Sequence, residues 1–213
     1  MASGQLSRAE ALACTNCRHA CHVMLYCDTQ NKLFGEIPIK HIILMQMRFD
    51  GLLGFPGGFV NPSEESLEEG LSRELLEEIG VVVPISVENH VQSCPDEDVD
   101  TRLILHFYAK KMKEEQILEI ERSAASTAID HGHEVLGMVR VPLYRTEGGG
   151  LSSFLSHSFI GTARQQLLDC LLRFGLISPQ TLCHALSISV ATHKRTTKEL
   201  NSALALMKKK PHR

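Results

Sequence analysis

No apolar run in this chain approaches the ~20 residues that a membrane-spanning helix requires, and the first residues, Met1–Asn16, lack the basic-then-apolar layout of a secretory leader. Those two absences predict a soluble, intracellular protein with no membrane partner. No second Cys-x2-Cys pair follows Cys14 and Cys17, so a four-ligand zinc site is not closed, even with His19, Cys21 and His22 nearby. Seven cysteines, an odd number without a secretory signal, predict reduced, partly buried thiols in the cytosol or nucleus. Internal repeats and long linkers are also missing, which excludes a solenoid and argues against two separate units. What is present, 213 residues that are 43% hydrophobic and 22% charged, predicts one globular domain with a sizeable core.

Charge is distributed unevenly. Residues 191–213 carry seven Lys or Arg against the single acid Glu199, a net +6, whereas the rest of the chain is −9 and the whole −3. Such a tail suits a phosphate backbone or a nuclear import receptor, and equally suits the frayed, soluble end of a helix.

The densest chemistry lies in Gly57–Val81, where seven glutamates surround the single Arg73. A Gly-Gly turn at 57–58 leads into a run whose Leu71, Leu75 and Ile79 recur at i, i+4, the apolar stripe of an amphipathic helix. At ~100° per residue, Glu74, Glu77 and Glu78 fall within about a third of the helix circumference. Carboxylates so close repel unless something positive sits between them, and an all-oxygen donor set suits Mg²⁺ or Mn²⁺ better than Zn²⁺. A solvated helix face is the plainer account of a charge run. It leaves the Gly-Gly turn, the arginine and the spacing unexplained. Arg73 reads as structural support, pairing with Glu69 or Glu77 at i±4.

Residues 20–27, 41–48, 102–109 and 134–141 are apolar, β-rich runs that predict strands, the last ended by Pro142. Residues 81–87 read as extended and 96–100 as an acidic loop. Helices are expected over 113–125, 162–174, 180–186 and 196–208. Strands mixed with helices, without strict alternation, predict an α/β fold with a mixed sheet covered on both faces.

Arg73 through Val81 match the second half of the Nudix box, Gly-x5-Glu-x7-Arg-Glu-U-x-Glu-Glu-x-Gly-U with U a bulky aliphatic residue, at every fixed position. Glu65 stands eight residues before Arg73, as the box asks. The chain therefore resembles the Nudix hydrolase superfamily, which implies an α/β/α sandwich. One departure is that Phe59 occupies the box glycine position and Gly58 comes one residue early, which speaks against a functional role for Glu65. Further blocks outside the box, at 18–22, 44–51, 53–60, 130–132, 134–137 and 159–164, resemble the snoRNA-decapping branch of the superfamily, whose activity extends to inosine diphosphate.

That resemblance implies an N-terminal segment 1–17, a Nudix domain 18–190 and a basic C-terminal helix or tail 191–213. Glu74, Glu77 and Glu78, with the Gly57 carbonyl, would hold two or three Mg²⁺ or Mn²⁺ ions. Glu134 would be a further ligand or the general base, alongside Glu77 and Glu78 in catalysis, and Asp169 would add a carboxylate. His22, Arg48, Phe55 and Gln166 would line a purine nucleotide site, the rings flanking the base and the arginine facing phosphate. Each has a plainer alternative: a core histidine, a solvated cation, a core plug, or polar helix surface. The resemblance further implies capped RNA, snoRNA above all, and purine nucleoside diphosphates as substrates. It also implies a homodimer, and a place in the nucleolus and nucleoplasm as well as the cytoplasm. A non-catalytic scaffold for RNA or protein on the same fold, or a nucleotide-pool sanitiser without an RNA role, are the alternatives. A scaffold relative lacks the box glutamates that are intact here.

Overall fold

A computed structural model describes residues 6–96, 102–147 and 149–189. The basic tail, the predicted helix over 196–208 and most of the 96–100 loop lie outside the described residues. The sheet has seven strands: β1 (Arg18–Asp28), β2 (His41–Arg48), β3 (Leu53–Gly54), β4 (Gly57–Val60), β5 (His90–Pro95), β6 (Leu103–Lys111) and β7 (Val135–Arg140). Four helices matter here: α1 (Arg8–Leu12), α2 (Leu67–Ile79), α3 (Glu114–Ala124) and α4 (Ala163–Arg173). Residues 179–189 are also helical.

The sheet is mixed, because β1 runs parallel to β6 but antiparallel to β2 and β4. Alternation along β1 divides the core in two. Cys21, Val23, Leu25 and Cys27 pack with Leu71, Leu75 and Ile79 of α2 and Ile117 and Ile120 of α3. Met24 and Tyr26 face the other way, onto Leu167, Cys170 and Leu171 of α4 and Leu182 beyond it. Helices on both faces give the α/β/α sandwich that the pattern predicts. Leu71, Leu75 and Ile79 are fully buried, each worth ~1.5–3 kcal/mol in apolar transfer.

Local sequence sets the limits of α2. The Ser66 hydroxyl accepts the Glu69 amide at 3.2 Å while the Glu69 carboxylate accepts the Ser66 amide at 2.9 Å, a reciprocal capping box. Glu69 is thereby committed to the helix start, so it is not the partner of Arg73. Residues 81–87 form no strand: Pro84 interrupts the donor ladder, and Val83 is buried against the α2–α3 side.

Cys14 and Cys17 form a disulfide, so the expectation of free thiols throughout does not hold for this pair. The turn after α1, where the Cys17 amide donates to the Cys14 carbonyl at 3.2 Å, brings them together. Cys21, Cys27 and Cys170 are buried thiols whose pKa burial pushes up. The N-terminal segment docks through Arg8, which meets Glu68 of α2 at 2.7 Å, while the Tyr108 hydroxyl donates to the same carboxylate at 2.8 Å.

Beside this dock lies a buried polar chain. His19 Nδ1 meets His106 Nε2 at 2.9 Å, His106 Nδ1 meets Ser93 Oγ at 2.8 Å, and Ser93 Oγ meets His90 Nε2 at 2.9 Å. Burial first, then His19 and His90, pushes the His106 pKa down to about 3.

Candidate active site

One edge of β1 has two partners. Its first half, His19–His22, pairs with β4, and its last residues, Leu25–Asp28, pair with β2. Between them the Val23 amide reaches the Pro56 carbonyl at 3.0 Å. The sheet therefore forks at His22–Met24, and such a divergence of neighbouring strands leaves an opening in which ligands bind.

Two glycines let α2 approach this fork. Gly57 has φ +128°, and a Cβ there would strike the Cys21 carbonyl and the His22 Cα. At Gly58 a Cβ would strike the Glu74 carboxylate. With both absent, Glu78 reaches the strand: its Oε2 accepts the Gly57 amide at 2.6 Å and the Gln46 side-chain amide at 3.1 Å. Glu78 is only 5% exposed. Burial drives its pKa up to about 7 against those two hydrogen bonds, with Glu74 and Asp130 adding to the rise. Glu74 is raised as well, by burial first, with Arg73 opposing and Glu77 and Asp130 contributing.

Arg73 gathers the outer carboxylates. It donates to Glu74 at 2.7 Å, Glu65 at 2.9 Å, the Phe59 carbonyl at 3.3 Å and Glu77 at 3.4 Å. Arg73 is thus a positioning residue, with Glu65 and Glu74 as its nearest partners. The irregular start of the box does not disconnect Glu65, because the chain between Phe59 and Ser66 still delivers it to the guanidinium. Its role is to hold Arg73.

Of the predicted nucleotide residues, His22 lies in the fork and Arg48 acts on it electrostatically, whereas Phe55 and Gln166 are buried. His22 is half-buried; burial, then the Arg48 charge, lowers its pKa to about 4, so the imidazole is neutral at physiological pH. Asp50 holds the Arg48 guanidinium at 3.1 Å, and its stem packs near Gly54. Phe55 is buried against Phe107, ring centroids 5.0 Å apart. The segment Ser158–Ile160 runs beside β3, with the Leu53 amide donating to the Ser158 carbonyl at 2.9 Å. This pairing brings in the start of α4, where Gln166 is buried in the second turn.

The other two predicted carboxylates have these surroundings. Glu134 is exposed, and its carbonyl accepts the Phe49 amide at 3.0 Å. Asp169 pairs with Arg173 one turn on at 3.0 Å. From the same loop as Glu134, Asp130 is the acid that acts electrostatically on both Glu74 and Glu78. Sequence reasoning singled out that loop through Glu134 and did not name Asp130 as a site residue. Gln46 was missed; the signal was a lone amide among the apolar residues of β2.

Among the described residues, no three His, Cys, Asp or Glu side chains already converge as a closed metal cage. Donor chemistry nonetheless fits a hard cation. Glu74, Glu77, Glu78 and the Gly57 carbonyl offer only oxygen, and burial raises the pKa of Glu74 and Glu78, a cost to their charged forms that a cation would relieve.

A carboxylate-lined helix following a Gly-Gly strand, in an α/β/α sandwich with a forked mixed sheet, is the arrangement of an enzyme of the Nudix hydrolase type. The family model described as Nudt16-like, U8 snoRNA-decapping enzyme-like, matches residues 19–177, and the chain belongs to that family. It is 49% identical over 184 residues to the U8 snoRNA-decapping enzyme of Mus musculus, covering 82% of this chain and 90% of that protein. It is also 41% identical over 202 residues to the Tudor-interacting repair regulator protein of Homo sapiens, covering 92% and 93%. Among solved structures, a MutT/nudix family protein from Enterococcus faecalis superposes with a TM-score of 0.51 at 20% identity, covering 85% of this chain and 75% of that one. At that identity the likeness concerns the fold alone.

Proposed function

We propose that this chain is a Mg²⁺- or Mn²⁺-dependent pyrophosphohydrolase that removes the 7-methylguanosine cap from RNA, small nucleolar RNA above all, in the nucleus and cytoplasm. The same site would hydrolyse inosine and deoxyinosine diphosphate to the monophosphate. The observation that carries this reading is the buried Glu78 carboxyl, joined to the Gly57 amide and flanked by Glu74 and Asp130, next to a neutral imidazole and a fixed guanidinium. The 49% identity to a named decapping enzyme supports the choice of substrate.

Glu74, Glu77, Glu78 and the Gly57 carbonyl would hold the divalent ions, which supply charge neutralisation at the phosphoryl oxygens and acidify the attacking water. Every other part belongs to the chain. Arg73 keeps Glu74 and Glu77 aligned, and Asp50 aims Arg48 so that its guanidinium faces phosphate. His22 stays neutral and so meets a purine without charge repulsion from Arg48. Glu78, with a pKa near 7 before a cation binds, is poised to take or hold a proton at physiological pH.

A second reading, a protein-binding role, draws support from the 41% identity to a Tudor-interacting protein. Incubating the chain with capped RNA and with inosine diphosphate, each with Mg²⁺ or Mn²⁺, separates the two. Release of 5′-monophosphorylated RNA together with a capped-nucleotide diphosphate supports the enzyme reading. Turnover of neither substrate with either metal overturns it in favour of the binding role.

A further inference from the structure

Phe59 is 52% exposed, and the Arg18 guanidinium lies over its ring, 4.0 Å from the centroid. Isolated exposed aromatics are common on protein surfaces. Three features set this one apart. Arg18 is exposed and, among the described residues, pairs with no carboxylate; its guanidinium rests on the ring. Register then places the pair on the site: Phe59 pairs with Ala20, and Gly57 with His22. Arg18, Ala20 and His22 alternate onto one sheet face, and Phe59 lies one pleat from the His22–Gly57 level, a step of ~6.8 Å along the strand. That is a distance one extended nucleotide covers. Finally, the Phe59 carbonyl accepts from Arg73, so the platform is tied to the same guanidinium that aligns the carboxylates.

We propose that Arg18 and Phe59 form a stacking shelf for a base on the RNA side of the hydrolysed pyrophosphate. The base lies on the exposed surface of the Phe59 ring while Arg18 meets the adjoining phosphate. This assignment rests on the capped-RNA reading above and names the residues that distinguish an RNA from a free nucleoside diphosphate. The chemistry is that of sequence-tolerant single-strand recognition: an aromatic face for any base and a cation beside the backbone. A nucleoside diphosphate seated at His22 has no second nucleotide to lay on the shelf.

The test uses the full chain and a capped RNA pentamer, with inosine diphosphate as the substrate that lacks a second nucleotide. Phe59→Ala weakens pentamer binding by about tenfold or more, as loss of one base–aromatic stack does, while inosine diphosphate hydrolysis stays within about twofold. Arg18→Gln lowers the slope of log affinity against log salt by ~0.7. The sequence contains no tryptophan, so Phe59→Trp introduces a sole indole; it retains affinity, and its fluorescence is quenched by the pentamer but not by inosine monophosphate. If the wild type binds and cleaves the pentamer and Phe59→Ala does so equally well, the shelf is wrong and the capped-RNA reading stands. Equal loss on both substrates also overturns the shelf, since Phe59 then supports the whole site. If the wild type neither binds nor cleaves the pentamer, the capped-RNA reading fails and the shelf with it.

Discussion

Glu78 and Gly57 meet across the fork in the sheet, the helix carboxylate accepting the strand amide hydrogen at 2.6 Å. That contact joins α2, seated by Leu71, Leu75 and Ile79, to β4 at a carboxylate that is out of water. Burial raises its pKa against the hydrogen bond that the Gly57 amide donates.

Without metal, Glu78 makes the protein less stable as pH rises. Its folded pKa of about 7 lies above the ordinary 4.5, so the folded state holds a proton that the unfolded chain releases. The contribution is complete below about 4.5 and is lost as pH climbs through 7, up to ~3 kcal/mol in all. Thermal melts of metal-free protein between pH 5 and 8 should show this decline, Glu78→Gln should flatten it, and Mn²⁺ should reverse it. A melting curve indifferent to that substitution contradicts the assignment.

The buried histidine chain acts in the opposite direction. His106 has a folded pKa of about 3, below the ~6.5 of an unfolded histidine, so the unfolded chain binds the extra proton. Stability is intact above about 6.5 and falls below it, by ~2 kcal/mol at pH 5. Replacing His106 with Gln should reduce the acid loss measured by denaturant unfolding at pH 5 and 7. An unchanged difference between the two pH values would show that the chain is not the source.

Gly58→Ala tests the approach of helix to strand. The added Cβ collides with the Glu74 carboxylate, which must move away from the site. Calorimetry should report Mn²⁺ affinity lowered by about tenfold or more while circular dichroism is unchanged. Native affinity in this variant would mean that Glu74 is not where the ion binds.

Arg73 and Glu65 should behave as one unit. Arg73→Ala is expected to cut turnover by ~10–100-fold by releasing Glu74 and Glu77, and Glu65→Gln to cut it less. The double variant should be no worse than Arg73→Ala alone, because Glu65 acts through the guanidinium 2.9 Å away. Additive losses would give Glu65 an independent role.

Local signals made part of this site readable in advance. The Ser66–Glu69 capping box, the Leu71, Leu75 and Ile79 stripe and the three clustered glutamates are all written within one helix, where spacing alone fixes geometry. Strands β1 and β2 were legible for the same reason. Asp130 was not legible, because only the fold brings its loop to α2, where its amide donates to the Glu77 carbonyl at 3.2 Å. The fork at His22 was hidden too, since β1 changes partner through pairings with β4 and β2 that no local pattern encodes. His19 and His106, 87 residues apart, meet only through the parallel pairing of β1 with β6. The misplaced box glycine gave no sign that Glu65 would still reach Arg73, since spacing in a loop constrains a long side chain weakly.

If the carboxylates of α2 hydrolyse the pyrophosphate of capped RNA, the loss of Glu78 must show in the cleavage step. The most direct measurement is single-turnover cleavage of capped RNA with Mn²⁺ by Glu78→Gln beside the wild type, with RNA affinity determined in parallel. The account predicts a rate lower by ~10²–10⁴-fold with affinity within about twofold. A cleavage rate within about threefold of wild type would place the chemistry elsewhere.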